Sequence, residues 1–257
     1  MANATGRFNW YQLMTTDPEA ASRFYTAVIG WTANAMQGPA QDYTVFEADG
    51  AGVGGMMTLP EAAKQAGAPP HWIGYIAVDS VDDAAARLTA DGGAVHHAPE
   101  DIPGVGRFSV VADPQGAMFI LFRPFPTGPR PAVAPGTPGH AGWHELHAAD
   151  WQSAFDFYAK QFGWTKGETH DMGPMGIYQL FATGGDAVGG MMTKQPAIPF
   201  PVWLYYFNVS DINQAAARVL QAGGKVLNGP HPVPGGSWIL QCADPQGAMF
   251  ALVAPPN

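Results

Sequence analysis

With 257 residues, 47% of them hydrophobic and 13% charged, the chain can bury a substantial core and is not of a disordered type. Its net charge of -9 argues against a nucleic-acid binder, which needs a basic face. No apolar run reaches the roughly 18 residues of a membrane span, and the first residues lack the apolar core of a signal peptide. The single cysteine, Cys242, excludes an intramolecular disulfide. We therefore expect a cytoplasmic protein with neither nucleic acid nor membrane as a partner.

The first predicted unit, residues 7–59, places one helix among short strands. Thr16 or Asp17 as N-cap and Pro18 at the first helical position begin the helix, and Gly30 ends it. A connector rich in Pro, Ala and Gly follows the unit. The predicted strands lie at 8–14, 43–48 and 53–58.

The second predicted unit, residues 71–124, repeats this order of strand, helix and about three strands. Its last two strands flank Asp113-Pro114-Gln115-Gly116, a sequence typical of a tight turn, so we predict a β-hairpin. The predicted strands lie at 71–78, 94–97, 107–112 and 117–122.

The second half of the chain repeats the first. Residues 113–119 recur unchanged as 244–250, and the Phe-Tyr pair of the first helix recurs at Phe157-Tyr158. A repeat of this length indicates duplicated domains and not a solenoid. We predict domains at 1–124 and 141–257, joined by a stiff Pro-rich linker at 125–140.

These features together resemble the vicinal oxygen chelate superfamily, which includes glyoxalase I, bleomycin-resistance proteins and extradiol dioxygenases. The resemblance is carried by the Phe-Tyr helix, its Gly-Trp exit and the Asp-Pro-x-Gly hairpin, in the same order in both halves. It implies an α+β fold of four βαβββ units, 7–59, 71–124, 141–194 and 202–254, paired into two bowl-shaped domains. Because one chain carries all four units, we expect a monomer or a weak homodimer.

The resemblance also implies where a metal would be bound. Metal-dependent members place a His or Gln on the first strand of a unit, where this chain has Trp10 and Trp143. They place a Glu four residues beyond the turn glycine, where it has Ile120 and Ala251. None of these side chains offers a lone pair to a divalent cation. We predict no cofactor, and a divalent metal only if its site has been relocated.

Glu145 and His147 are the candidate catalytic residues. Side chains alternate along a strand, so both share one face with Trp143. A carboxylate beside an imidazole suits a general base or two ligands of a relocated metal. The alternative, which we favour because the first half has Gln12 and Met14 at these positions, is a hydrogen-bonded pair that lines a pocket or contacts the other domain.

Aromatic and methionine side chains favour a small apolar or aromatic ligand. The predicted ligand-binding residues are Trp10, Gln12, Tyr75, Met118, Ile120, Trp143, Tyr206 and Met249. We predict a metal-free small-molecule-binding protein of the glyoxalase and bleomycin-resistance type. The alternative is a lyase, isomerase or dioxygenase with a displaced site at Glu145 and His147.

The glycines of residues 50–55 match the spacing of a dinucleotide-binding loop, but no helix is predicted directly after them, as such a site requires. We predict instead that they permit sharp strand curvature and close backbone approach in the wall of the bowl.

Overall fold

The computed structural model describes residues 5–37, 42–126 and 133–256. Four groups follow one another along the chain, each with a strand, a helix and three strands. The first has β1 (Phe8–Thr15), α1 (Pro18–Ile29), β2 (Thr32–Gln37), β3 (Asp42–Ala48) and β4 (Ala51–Thr58). The second has β5 (His71–Ala77), α3 (Val81–Ala90), β6 (Ala94–Ile102), β7 (Gly106–Ala112) and β8 (Met118–Pro124), after a short helix α2 (Glu61–Gln65).

The second half of the chain has the same element order. The third group has β9 (Ala141–Ala148), α4 (Trp151–Phe162), β10 (Thr165–Asp171), β11 (Ile177–Ala182) and β12 (Ala187–Thr193), with a 3-10 turn at Gly173–Met175. The fourth has β13 (Val202–Asn208), α5 (Ile212–Gln221), β14 (Lys225–Pro232), β15 (Trp238–Ala243) and β16 (Met249–Ala254).

The strands form two mixed sheets of eight, which confirms the predicted α+β class. The first has the order β2-β3-β4-β1-β5-β8-β7-β6, and the second has the equivalent order β10-β11-β12-β9-β13-β16-β15-β14. Within each group the first strand is parallel to the last, as for β1 with β4, and the other pairs are antiparallel.

The chain divides into two compact units, each of which draws on both halves of the sequence. One contains residues 1–9, 74–132 and 144–203, and the other contains 10–73, 133–143 and 204–257. The predicted boundaries at 124 and 141 remain a prediction. Residues 127–132 of the predicted linker lie outside the described residues.

Helix α1 begins and ends where its sequence predicts. The Asp17 side chain accepts a hydrogen bond from the backbone N–H of Ala20 at 2.9 Å, and Pro18 is the first helical residue. Gly30 ends the helix with a left-handed φ of 91°. Helix α4 has equivalent ends, with Asp150 as its N-cap and Gly163 in the left-handed conformation.

The repeated turn is the predicted hairpin. Oδ1 of Asp113 accepts from the backbone N–H groups of Gln115 and Ala117 at 2.8 and 2.9 Å, and Gly116 has a φ of 96°. Asp244 makes the same pair of bonds in the second copy, at 2.9 Å each. The turn therefore holds its aspartate in one orientation, with the other carboxyl oxygen left for a partner in the core.

Two elements differ from the sequence-based expectation. The connector after residue 58 contains a helical turn, α2, because Glu61 to Gln65 are all good helix formers. Strand β6 was predicted to end at residue 97 but continues to Ile102 through Pro99. β6 lies at the edge of its sheet, and its pairing with β7 shifts register beside the proline, which an edge strand tolerates.

None of the helices in the described ranges is long and apolar enough to cross a membrane.

Candidate functional site

The structure brings Glu145 and His147 of β9 into direct contact. Nε2 of His147 lies 2.9 Å from Oε1 of Glu145, and the two side chains are only 8% and 9% exposed. The hydroxyl of Tyr178, on β11, donates to the other carboxyl oxygen at 2.9 Å. We call these three residues the acidic cluster. Its carboxylate accepts two hydrogen bonds that hold it in place.

Gly190 allows Tyr178 to reach the carboxylate. Gly190 on β12 is paired with Glu145 on β9, and a Cβ atom at Gly190 would collide with the ring of Tyr178. The ring therefore lies across the strand in space that only glycine leaves open. This explains the second glycine of the repeated Val-Gly-Gly-Met-Met-Thr sequence.

The ring nitrogen Nδ1 of His147 differs from the other polar atoms of the acidic cluster. This atom is buried and has no hydrogen-bond partner among the residues that the structure describes. A neutral imidazole has one N–H and one acceptor nitrogen. Because Nε2 faces a carboxylate, the proton belongs on Nε2 and Nδ1 is the acceptor. The pair can thus accept a proton or a hydrogen bond at Nδ1 while Glu145 orients the ring.

The first half has a neutral copy of this arrangement. Nε2 of Gln12 lies 3.0 Å from the sulfur atoms of both Met14 and Met57. The hydroxyl of Tyr43 donates to Oε1 of Gln12 at 3.4 Å and accepts from Nε1 of Trp10 at 3.0 Å. Burial raises the pKa of Tyr43 to about 12, so this hydroxyl stays protonated. The predicted residues Trp10 and Gln12 are therefore joined through a tyrosine that the sequence had not indicated.

Trp143 and Tyr206 belong to an apolar cluster. The buried residues Leu204, Tyr206 and Ala251 are packed against Trp143. The hydroxyl of Tyr206 accepts from Nε2 of Gln241 at 2.8 Å. Gln241 is thus a polar residue among predicted ligand-binding residues, and sequence reasoning missed it.

The remaining predicted ligand-binding residues lie on the other strands. Tyr75 on β5 is paired with Ile120 on β8, and both are buried, at 6% and 3% exposed. Met118 and Met249 begin β8 and β16, and each is 39% exposed. The methionines are therefore the accessible members of the predicted set.

The positions at which the resemblance implies metal ligands do not fit a metal. Ile120 and Ala251 are buried side chains without a donor atom, and the indole N–H of Trp10 donates to Tyr43. Within residues 5–37, 42–126 and 133–256, no group of three or more His, Cys, Asp or Glu side chains is placed to hold a metal ion.

A separate pocket of about 240 Å³ lies on β9 beside His144, which the sequence had not indicated. The ring of His144 is stacked on Phe8 with centroids 4.4 Å apart, and its Nδ1 lies 2.8 Å from the carbonyl oxygen of Val188. Burial lowers the pKa of His144 to about 4. Arg7 lines the same pocket and donates to the carbonyl oxygens of Thr183 and Gly184 at 3.2 and 2.8 Å.

The missed residues Tyr178 and Tyr43 share one sequence feature. They occupy equivalent places in the two halves, each before a Val-Gly-Gly-Met-Met-Thr sequence. A repeated tyrosine together with a repeated glycine would have been the sequence signal for the contact between Tyr178 and Glu145. Only the strand register, however, shows that Gly190 lies beside Glu145.

Comparisons with known proteins agree with this fold. The family model described as Glyoxalase/Bleomycin resistance protein/Dioxygenase superfamily matches residues 7–121 and 139–252. The anthracycline biosynthesis protein DnrV of Streptomyces peucetius is 32% identical over 265 residues, which cover 97% of this chain and 94% of DnrV.

Solved structures show the same architecture at low sequence identity. The Mn(II)-bound glyoxalase from Novosphingobium aromaticivorans aligns with a TM-score of 0.69 and 18% identity, over 99% of this chain and 83% of that one. The 2,3-dioxygenase LapB from Pseudomonas sp. KL28 aligns with a TM-score of 0.67 and 14% identity, over 99% and 94% of the two chains. At these identities the similarity establishes the fold alone.

Proposed function

Since this chain belongs to the Glyoxalase/Bleomycin resistance protein/Dioxygenase superfamily, we propose that it is a metal-free binding protein for a small aromatic molecule, held at the acidic cluster of Glu145, His147 and Tyr178. The observation that carries the proposal is the difference between the two copies. The first half has Gln12 and Met14 at these positions, whereas the second half has the buried carboxylate of Glu145 and imidazole of His147.

The buried pair is unfavourable unless it serves a ligand. Removing a carboxylate from water costs several kcal/mol, which its hydrogen bonds only partly offset. The neutral Gln12 and Met14 show that the same fold accommodates residues without this cost. The second half nevertheless retains the costly arrangement, and Nδ1 of His147 is buried there without a partner among the described residues. Both features support a binding role for the second half.

The aromatic class of the ligand is supported by the relative and by the surrounding residues. DnrV is named for anthracycline biosynthesis, and anthracyclines contain planar fused aromatic rings. Tyr178 supplies an aromatic ring at the acidic cluster.

The absence of a metal cofactor is part of the same proposal. The side chains at the usual ligand positions carry no suitable donors, and the acidic cluster offers only one carboxylate and one imidazole besides a tyrosine. We also place the protein in the cytoplasm, as a monomer or weak homodimer, and light scattering measures the last property.

Titration with 2-methoxyanthraquinone, followed by calorimetry and tryptophan fluorescence, tests the proposed function. We expect saturable binding with one site per chain, and elemental analysis of protein purified without a metal-binding tag to find no stoichiometric metal. Absence of binding by this probe and by its hydroxyl analogue would overturn the proposal.

A second candidate function is an enzyme, a lyase, isomerase or dioxygenase, that uses Glu145 and His147. The 2.9 Å contact favours it, because a carboxylate that orients an imidazole is a common arrangement for a general base. Bound metal in stoichiometric amount that is lost in Glu145→Ala and in His147→Ala would favour this candidate over the first.

A further inference from the structure

The acidic cluster lacks a hydrogen-bond donor for His147. The carboxylate of Glu145 is an acceptor. It accepts hydrogen bonds from the Nε2–H of His147 and from the hydroxyl of Tyr178. The remaining nitrogen of His147, Nδ1, is then an acceptor as well. It is buried, and no residue within 5–37, 42–126 and 133–256 provides a hydrogen-bond partner for it. A buried acceptor in this state is unfavourable, and a ligand with a donor group would satisfy it.

The neutral copy shows that the fold does not impose this unpaired atom. Met14 occupies the place of His147, and its sulfur lies 3.0 Å from the amide nitrogen of Gln12. A thioether is a weak acceptor, so little is lost if it has no strong donor. The demand for a donor is therefore specific to the second half.

We propose that the aromatic ligand carries a free phenolic or enolic hydroxyl that donates its hydrogen bond to Nδ1 of His147. This rests on the proposed function and adds the chemical group that the site selects. A neutral hydroxyl suits the site better than an ammonium group, because two donors already offset the charge of the carboxylate. Glu145 acts as a positioning residue, which fixes the tautomer that leaves Nδ1 free to accept.

Access to Nδ1 requires limited movement of neighbouring side chains. The side chains of His147 and Glu145 are only 8% and 9% exposed. Nδ1 itself is covered. The hydroxyl therefore enters space that neighbouring side chains fill in the free protein.

Two probes of nearly the same shape test the proposal. We expect 2-hydroxyanthraquinone to bind the full-length protein at least 10-fold more tightly than 2-methoxyanthraquinone, which has no donor. His147→Met, which installs the residue of the first copy, is expected to reduce this ratio to about one. The control Met14→Leu, at the equivalent position of the first half, is expected to leave the ratio unchanged.

The outcomes separate the two proposals. Equal binding of both probes by the natural protein leaves the proposed function standing and overturns the hydroxyl requirement, whereas binding of neither overturns both. Nitrogen-15 shifts of the histidine rings give a second measurement that needs no variant. We expect His147 to show the tautomer with its proton on Nε2, and the tautomer with its proton on Nδ1 would contradict the proposal.

Discussion

The hydroxyl of Tyr25 donates to Oδ2 of Asp244 at 3.1 Å, so a helix in the first group is bonded to the turn of the last group. Nε1 of Trp72 donates to the same hydroxyl at 2.8 Å. The other compact unit has the equivalent series of hydrogen bonds. Tyr158 donates to Asp113 at 3.1 Å and accepts from Trp203 at 3.0 Å. The tyrosine of the repeated Phe-Tyr sequence thus forms a buried hydrogen bond with the aspartate of the repeated Asp-Pro-Gln-Gly sequence. The structure contains this bond in two copies.

Tyr25→Phe is expected to lower the free energy of unfolding by about 1–3 kcal/mol, because it removes the hydroxyl that donates to Oδ2 of Asp244 and accepts from the indole N–H of Trp72. Tyr158→Phe is the matched variant and is expected to have a similar effect. Urea denaturation measures both. A change below about 0.5 kcal/mol in each would show that these bonds contribute little.

Gly190→Ala is expected to displace the ring of Tyr178 from Glu145 and to destabilise the protein by about 1–3 kcal/mol, as overpacking does. In a Tyr178→Ala background the added methyl group has room, so the same change is expected to cost close to nothing. Denaturation of the two single variants and the double variant gives the coupling energy. Additive effects would contradict the close approach.

Replacing Glu145 and His147 together by the Gln and Met of the first half is expected to leave the stability unchanged or to raise it by up to about 4 kcal/mol, because the neutral pair fits the repeated fold and avoids the cost of burying a carboxylate. Glu145→Ala alone removes the carboxylate that accepts from the His147 N–H and from the Tyr178 hydroxyl, and it is expected to cost about 3 kcal/mol. Thermal and urea unfolding measure both variants. A large loss in the double variant would assign the pair a structural role.

Acid is expected to destabilise the protein through His144. Its folded-state pKa is lowered to about 4 by burial, so between pH 6.5 and 4 the unfolded chain binds a proton that the folded protein does not. Stability therefore falls as pH falls, by on the order of 3 kcal/mol across this range. Burial raises the pKa of Asp113 and Asp244, and their contribution has the opposite sign: it favours folding at low pH and is lost as pH rises through their folded pKa values.

His144→Gln isolates this contribution, since glutamine keeps a donor for the carbonyl of Val188 but does not titrate. The unfolding free energy of the natural protein is expected to fall relative to that of the variant as pH falls from 6.5 to 4. Urea denaturation at several pH values measures it. A difference that does not change with pH would contradict the lowered pKa.

The sequence by itself determined the fold class, the duplication and most helix ends, because these depend on local chemistry. Asp17 and Gly30 act within one turn of α1, and Gly116 is needed by its own hairpin. The alternation of side chains along a strand is equally local, and it is sufficient to place Glu145 and His147 on one face.

Only the tertiary structure decided which groups complete that face. Tyr178 reaches Glu145 because the strand register sets Gly190 beside it, and register is a relation between distant segments that no local pattern contains. The same holds for Tyr25 and Asp244, which lie 219 residues apart. It also holds for Nδ1 of His147, whose unpaired state depends on every neighbour that packing brings to it.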